Sequence, residues 1–357
     1  VLDDIQDAAE SLVPKGAKVG DFFAGSTVVS QALSFAGYSV TSVDTQDYSS
    51  VLGHACLAIG RGDTEELDYD SILFETNSLA SLTNIEEWQS LAVREQTAFD
   101  DHDIGSLREL YRELPLIWKS PANPHYSKIS QRSTNKLAEG DLLISEIYSG
   151  SYFGIQQALE IDLLRNAILQ LRANGGLSEW QSNAALSSLL SAASSSVHSA
   201  GKHFAQPLKN HKAGDNLFGD RRLLEDRKIS IVGAFSDAAR RINGLRNLGK
   251  TNNSFILGAA EGISAKKYSE LDLVYLDPPY TAQQYSRFYH ILETLCSYRF
   301  PNLFVQGQLT TGLYPNDRYK SAFSSKRNAR SAFSSIVKKT QRAGASLLIS
   351  YSHSASG

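Results

Sequence analysis

The reading turns on Leu271-Asp272-Leu273-Val274-Tyr275-Leu276-Asp277-Pro278-Pro279-Tyr280. The apolar run from Leu271 to Leu276 predicts a buried strand that delivers Asp277, two prolines and a tyrosine at its carboxyl end. In open α/β sheets, ligands bind outside that end of the strands. Pro278 and Pro279 restrict the backbone, so whatever Asp277 and Tyr280 present is held in place before a ligand arrives.

Working outward, Lys18 to Phe23 predicts another buried strand. An Ala24-Gly25-Ser26 turn then leads into a helix over Val28 to Ala36, closed by Gly37. Tyr38 to Val43 reads as a second strand ending in Asp44, and Tyr48 to Ile59 as a helix. This strand-helix-strand-helix start is of the α/β kind. Further strands are expected at Ser254 to Leu257 and Ser346 to Tyr351. About two hundred residues separate the second strand from the third, far more than a crossover needs, so that stretch must hold its own structure. Helices are predicted there around Ile72 to Val93, Ser106 to Pro115, Tyr152 to Ala173 and Ser178 to His198, with a loop region between Lys119 and Lys136. The expected division is a catalytic core of residues 1–60 and 250–357 and a helical insertion of residues 61–249.

At 357 residues the chain exceeds what one core usually organises. No apolar run is long enough to span a bilayer, so no membrane partner is expected. Cys56 and Cys296 lie in helix-like stretches without metal-ligand spacing, which favours buried structural thiols and a reducing cytoplasm. The net charge of −3 conceals segregation: thirteen acidic and three basic residues lie between Arg61 and Leu110, against eight basic and no acidic residues between Arg318 and Arg342. The second stretch could face phosphates.

In Asp21-Phe22-Phe23-Ala24-Gly25-Ser26, backbone amides at the strand-to-helix turn can meet polar groups of a ligand, and Gly25 allows close approach. Alone, this signal is weak, because a glycine after a strand is often only a turn. Asp44 adds weight, because a carboxylate at the end of the second strand can accept ribose hydroxyl hydrogen bonds. The loop has one glycine, with Thr27 where another would sit in a phosphate cradle. An adenosine-containing cofactor without a pyrophosphate is favoured.

The two motifs together resemble those of N6-adenine-specific DNA methyltransferases, the DNA adenine methylase family with an Asp-Pro-Pro-Tyr motif. Gln284-Tyr285 through Leu295, Ser321 through Arg327, and Val197 through Pro207 resemble further parts of that family. The resemblance implies an α/β fold with a Rossmann-like S-adenosylmethionine-dependent methyltransferase core and a large, mostly helical insertion that recognises the target. It implies that Asp21, Phe23, Ala24, Gly25, Ser26 and Asp44 line the site for S-adenosyl-L-methionine, while Asp277, Pro278, Pro279 and Tyr280 hold the target base. Glu261 follows the third strand, where the family tends to place an acidic residue near the cofactor's adenine, and its role stays open. The substrate implied is double-stranded DNA, with a cognate restriction endonuclease as a possible partner, and neither metal nor covalent intermediate is required.

The chemistry explains the residue types. An adenine amino nitrogen is a poor nucleophile because its lone pair is delocalised into the ring. The Asp277 carboxylate and the Pro278 carbonyl can each accept one of its N–H groups, turning the lone pair outward and stabilising positive charge as it develops. Tyr280 offers a stacking face worth roughly 1–3 kcal/mol, and within a duplex the base would be reached by flipping it out. Arg318, Lys320, Lys326, Arg327 and Arg330 are the candidate phosphate contacts; the alternative for them, and more so for Lys338, Lys339 and Arg342, is a solvated helix face. His290 and Glu293 read as core or supporting residues, and His198 and His203 as structural. An RNA or protein amino-methyltransferase, N4-cytosine methylation and a non-catalytic DNA- or cofactor-binding module remain as alternatives.

Overall fold

The computed structural model describes residues 1–58, 65–81, 85–119, 142–208, 217–246, 252–279, 284–305, 308–325 and 327–350. The chain forms two compact units, one of residues 1–65, 241–286 and 319–357, the other of residues 66–240 and 287–318.

The first unit is built on a sheet of five parallel strands: β1 (Lys18–Phe22), β2 (Ser39–Asp44), β3 (Ser254–Leu257), β4 (Leu273–Leu276) and the strand Ser346–Ile349. Their order is β3, β2, β1, β4 and then Ser346–Ile349. Phe22 lies opposite Val43 on one side and Leu276 on the other, while Asp44 lies opposite Leu257. All of these pairings are parallel, so the sheet needs cover on both faces. Alternate residues provide it. Val19, Val40 and Leu273 pack on one face with Ala9, Val13, Leu33 and Tyr38. Phe22, Val43, Val274 and Leu276 pack on the other with Tyr268, Phe323 and Ile336. Each such large side chain contributes about 1.5–3 kcal/mol through burial. The helices involved include α1 (Leu2–Leu12), α2 (Val28–Phe35) and Ala329–Ala343. A further helix, α3 (Asp47–Cys56), lies close enough to β3 that a β-carbon at Gly53 would run into the Phe255 ring.

The expected strands are all present with small end shifts. The first stops one residue short of the reading, because Phe23 turns into the left-handed region at φ 73°. Tyr351, the expected last residue of the final strand, and Ile59, the expected end of the second helix, lie outside the described residues.

The second unit is helical apart from a short hairpin, Phe304–Val305 against Gln308–Leu309. At its centre is Ile155–Ala173, whose buried residues lie all round the helix. Glu95 accepts the N–H groups of Ile155 and Gln156 at the start of this helix and the hydroxyl of Tyr111. Asp162 within it accepts from Ile144 N, Ser145 N and Tyr298 Oη. Ser178 opens the next helix, Glu179–Ser196, through a capping box with Gln181.

The single helix expected over Ile72 to Val93 is two, Tyr69–Leu79 and Glu86–Asp100. The second begins where Glu86 and Glu87 place negative charge in a first turn, a start signal hidden inside a continuous helical periodicity. The helix expected from Ser106 begins at Ile104, capped by Asp103, which accepts Ser106 N at 3.0 Å. Helices at Leu143–Tyr148, Leu217–Arg227 and Ile231–Arg246 were not anticipated. Residues 287–318, read with the core, pack instead in the second unit. Their helix His290–Ser297 buries His290, Ile291, Leu292 and Leu295, and His290 lies against Tyr148 and Tyr152. The expected loop beyond Lys119 lies outside the described residues.

Candidate active site

The strand order reverses between β1 and β4, the position at which open α/β sheets place their ligand crevice. Asp21, the fourth residue of β1, and Asp277, directly after β4, come from these two strands, and Asp44 ends the neighbouring β2. Three carboxylates are thereby brought to one edge of the sheet.

The turn after β1 is tightly specified. Phe23, Gly25 and Thr27 have φ of 73°, 51° and 61°. For the two residues that are not glycine, this costs about 1–3 kcal/mol each and persists only under external restraint. The restraint comes from β2 and α3. Phe23 N and Ala24 N both donate to the Val43 carbonyl, Gly25 N donates to Asp44 Oδ2 at 2.9 Å, and Ser49 Oγ donates to the Gly25 carbonyl at 2.6 Å. The amides of Phe23, Ala24 and Gly25, expected to meet a ligand, are therefore committed within the protein. What the turn presents instead is exposed Ser26 and the start of α2, whose N-cap Thr27 makes no side-chain cap.

Asp21 is 1 % exposed and recessed beneath this turn. It accepts Ser30 Oγ at 2.5 Å, and Ser30 in turn contacts Ser42 Oγ. Burial pushes its pKa up to about 7, opposed by the Ser30 bond and reinforced by the charges of Asp44 and Asp277. Half-buried Asp44 accepts Gly25 N and, through Oδ1, Gln46 N at 3.0 Å. Burial raises its pKa against the pull of those bonds. Asp277 is exposed, yet the surrounding protein withdraws enough water to raise its pKa as well. The three form one electrostatic neighbourhood that favours a positively charged guest.

Pro278 is buried and Pro279 half-buried; Tyr280 lies outside the described residues. Beside the prolines opens a cleft of about 710 Å³, walled by Phe323, Phe333 and Val337 with Arg330 and Lys338 along it. Phe323 also meets the Phe23 ring edge-on at 4.9 Å, linking the cleft wall to the turn after β1. Lys320, Arg327 and Arg330 are exposed in the same unit, Arg318 belongs to the helical unit, and Lys326 lies outside the described residues. Lys339 points inward and donates to the carbonyls of Glu261 and Ile263. His290 is buried with Nε2–H on the Phe204 carbonyl, and His198 pairs with Asp226. Among the described residues no three His, Cys, Asp or Glu side chains gather into a cluster able to hold a metal ion. No described helix is long and apolar enough to cross a membrane.

Two residues at this edge escaped the sequence reading. Ser30 looked like one more helix residue, although it is the partner of Asp21. Tyr319 is 41 % exposed, its carbonyl accepts Ser286 Oγ, and partial burial, reinforced by the charges of Glu261 and Asp44, raises its pKa, which places it beside the end of β2. An isolated tyrosine in a basic loop carries little sequence signal; its exposure is the mark that finds it.

Residues 235–343 match the family model of D12 class N6 adenine-specific DNA methyltransferases. The matched stretch includes Asp277 to Tyr280 and the basic segment but not the turn after β1. An 81-residue stretch is 36 % identical to the Type II methyltransferase M.FokI of Planomicrobium okeanokoites, covering 23 % of this chain and 12 % of that protein. The similarity therefore spans only a small part of the relative's length. No solved structure matches the chain. Residues 235–343, which carry the Asp-Pro-Pro-Tyr motif at the carboxyl end of β4, are thus similar to the D12 class N6 adenine-specific DNA methyltransferases.

Proposed function

We propose that the chain is a site-specific DNA adenine-N6 methyltransferase, with a Rossmann-like core that uses S-adenosyl-L-methionine and a helical insertion that recognises the target. The observation that carries this reading is the convergence of Asp21, Asp44 and Asp277 at the switch point of a parallel sheet, within a chain that matches the D12 class across its Asp-Pro-Pro-Tyr motif. When bound, S-adenosyl-L-methionine supplies an electrophilic methyl group on a sulfonium. Such a ligand also carries an ammonium group, and a sheet edge that gathers three carboxylates suits that cationic character.

Asp44 fits the ribose hydroxyls: two of its lone pairs hold the loop, and the remaining ones are available to accept. Phe23, Ala24, Gly25 and Ser26 shape the wall of the site, and Asp21 sets its charge from below. Asp277 Oδ and the Pro278 carbonyl accept the two N–H groups of the adenine amino nitrogen, so its lone pair faces the methyl group. Positive charge that would gather on that nitrogen as the methyl group passed to it from sulfur, before one N–H proton is released, would be stabilised by the Asp277 carboxylate. Tyr280 supplies the stacking face for a flipped base. Lys320, Lys326, Arg327 and Arg330 contact phosphates. The relative's designation as a Type II methyltransferase supports a place beside a restriction endonuclease.

The deciding experiment is incubation of the chain with labelled S-adenosyl-L-methionine and mixed plasmid DNA, followed by mapping of the methylated bases. Label on adenine N6 at a fixed sequence context is the expected result. Methyl transfer to RNA or protein alone, to cytosine N4, or to nothing would overturn it.

A further inference from the structure

In the helical unit, Arg287 opens and Arg318 closes the segment 287–318, and both guanidinium groups lie over the ring of Tyr314. Arg318 Cζ is 4.5 Å from the ring centroid and Arg287 Cζ 5.8 Å; Arg287 is also 5.7 Å from the Phe288 ring. The platform is firmly held. Thr310 Oγ1 donates to the Tyr314 carbonyl, Tyr152 Oη donates to the Gly312 carbonyl at 2.8 Å, and Leu313 between them is fixed in the left-handed region at φ 53°.

The two cations have little to neutralise them. Arg318 donates from Nη1 to the Pro315 carbonyl, but the Nε atoms of both arginines are buried without a hydrogen-bond partner among the described residues. The electrostatic neighbours of Arg318 are the neutral phenol of Tyr314 and the cation of Arg287 itself, with no carboxylate among them. Other buried or half-buried arginines of this unit are differently placed. Arg108 pairs with Asp220, Arg222 with Asp226, Arg165 binds the carbonyls of Leu295 and Cys296, and Arg227 reaches Tyr111 Oη and the Ser151 carbonyl. Two like charges drawn partly out of water and set side by side are unfavourable alone, and an anion between them removes the penalty.

We infer that Arg287 and Arg318, held against Tyr314, form a clamp for one phosphodiester group of the DNA backbone. This rests on the duplex-DNA reading above. Guanidinium forks match phosphate oxygens bidentately, whereas a lysine offers only a point charge. Stacking on Tyr314 lowers the side-chain freedom lost on binding. Such a contact fixes the register of the duplex and carries no sequence information.

The test uses the full chain, a fluorescent duplex oligonucleotide and affinity measured across a salt series. Because both arginines grip one phosphate, the double variant Arg287→Ala with Arg318→Ala should lower the magnitude of the slope of log affinity against log salt by about 0.9, and each single variant by less, since the remaining guanidinium still neutralises that phosphate. The double variant should be no weaker than about tenfold beyond either single one. Arg287→Lys with Arg318→Lys keeps both charges, guards against a folding artefact, and should retain the slope while losing affinity severalfold. An unchanged slope in the double variant, with duplex binding intact in the parent chain, overturns the clamp and leaves the DNA reading standing. A parent chain that binds no duplex overturns both. Loss of S-adenosyl-L-methionine affinity in the double variant would assign the pair to the cofactor instead, against the inference.

Discussion

Gly25 donates its backbone N–H to Asp44 Oδ2 at 2.9 Å, so the last residue of β2 holds the turn that leaves β1. Asp44 thus shapes the loop, and the proposed function gives it a second duty, facing the ribose of the cofactor. Asp44→Ala should weaken S-adenosyl-L-methionine binding by well over tenfold, because it removes an acceptor and frees a turn in which Phe23 and Thr27 are strained. Calorimetric titration measures this; unchanged affinity would mean that the loop holds its shape without the carboxylate.

Asp21 gives the unliganded protein a defined pH dependence. Its folded-state pKa of about 7 lies above the ordinary carboxylate value, so the folded state retains its proton longer than the unfolded chain. The resulting stabilisation is complete below about pH 4 and is lost as pH rises through about 7, at up to about 1.4 kcal/mol per pH unit. Asp21→Asn removes this titration. Urea unfolding at pH 5 and pH 8 should show the variant gaining on the parent at the higher pH. A constant difference would place the proton elsewhere.

Asp277→Ala should abolish methyl transfer while leaving S-adenosyl-L-methionine affinity within a few-fold of the parent, since the carboxylate is exposed and assigned to the base. Asp277→Asn should retain partial base binding with turnover reduced by about a hundredfold or more, the scale expected when a stabilising group in the transition state is lost. Single-turnover kinetics separates the two steps, and parental turnover in either variant would remove Asp277 from the chemistry.

Gly53→Ala probes the support behind the turn. The added methyl group would collide with Phe255, at a cost of about 1–3 kcal/mol as α3 shifts from β3. Because α3 carries Ser49, which holds the Gly25 carbonyl, cofactor affinity should fall along with stability. Phe255→Leu in the same chain opens space and should restore much of both. Rescue of stability without rescue of affinity would show that α3 does not position the turn.

The sheet was legible because its strands are short apolar runs whose ends are marked by Asp44 and by Asp277-Pro278-Pro279, and because helical segments alternate with the first two. The turn after β1 was legible as a site, but not in how it works. Its glycine and aspartate are contiguous signals, whereas the use of its amides depends on Val43 and Asp44, some twenty residues away. The recess of Asp21 was hidden for the same reason, since Ser30, itself in contact with Ser42, reaches it only once α2 has packed on the sheet. Segment 287–318 was read with the core because it follows β4 directly. Its own apolar face, packed around His290 and Tyr152, joins it to the helical unit, and adjacency in sequence misled there.

Thr41 pairs with Ser254, and Val19 with Leu273. During synthesis, β1 and β2 therefore emerge long before the strands that flank them. At about 5–20 residues per second, the first pair waits roughly 10–40 s for β3 and β4. Most of the helical unit leaves the ribosome in that interval, while two half-covered parallel strands expose their edges to any passing chain. The nested order of the two units makes the ribosome's pace, and any chaperone that shields β1 and β2, part of how this chain reaches its folded form.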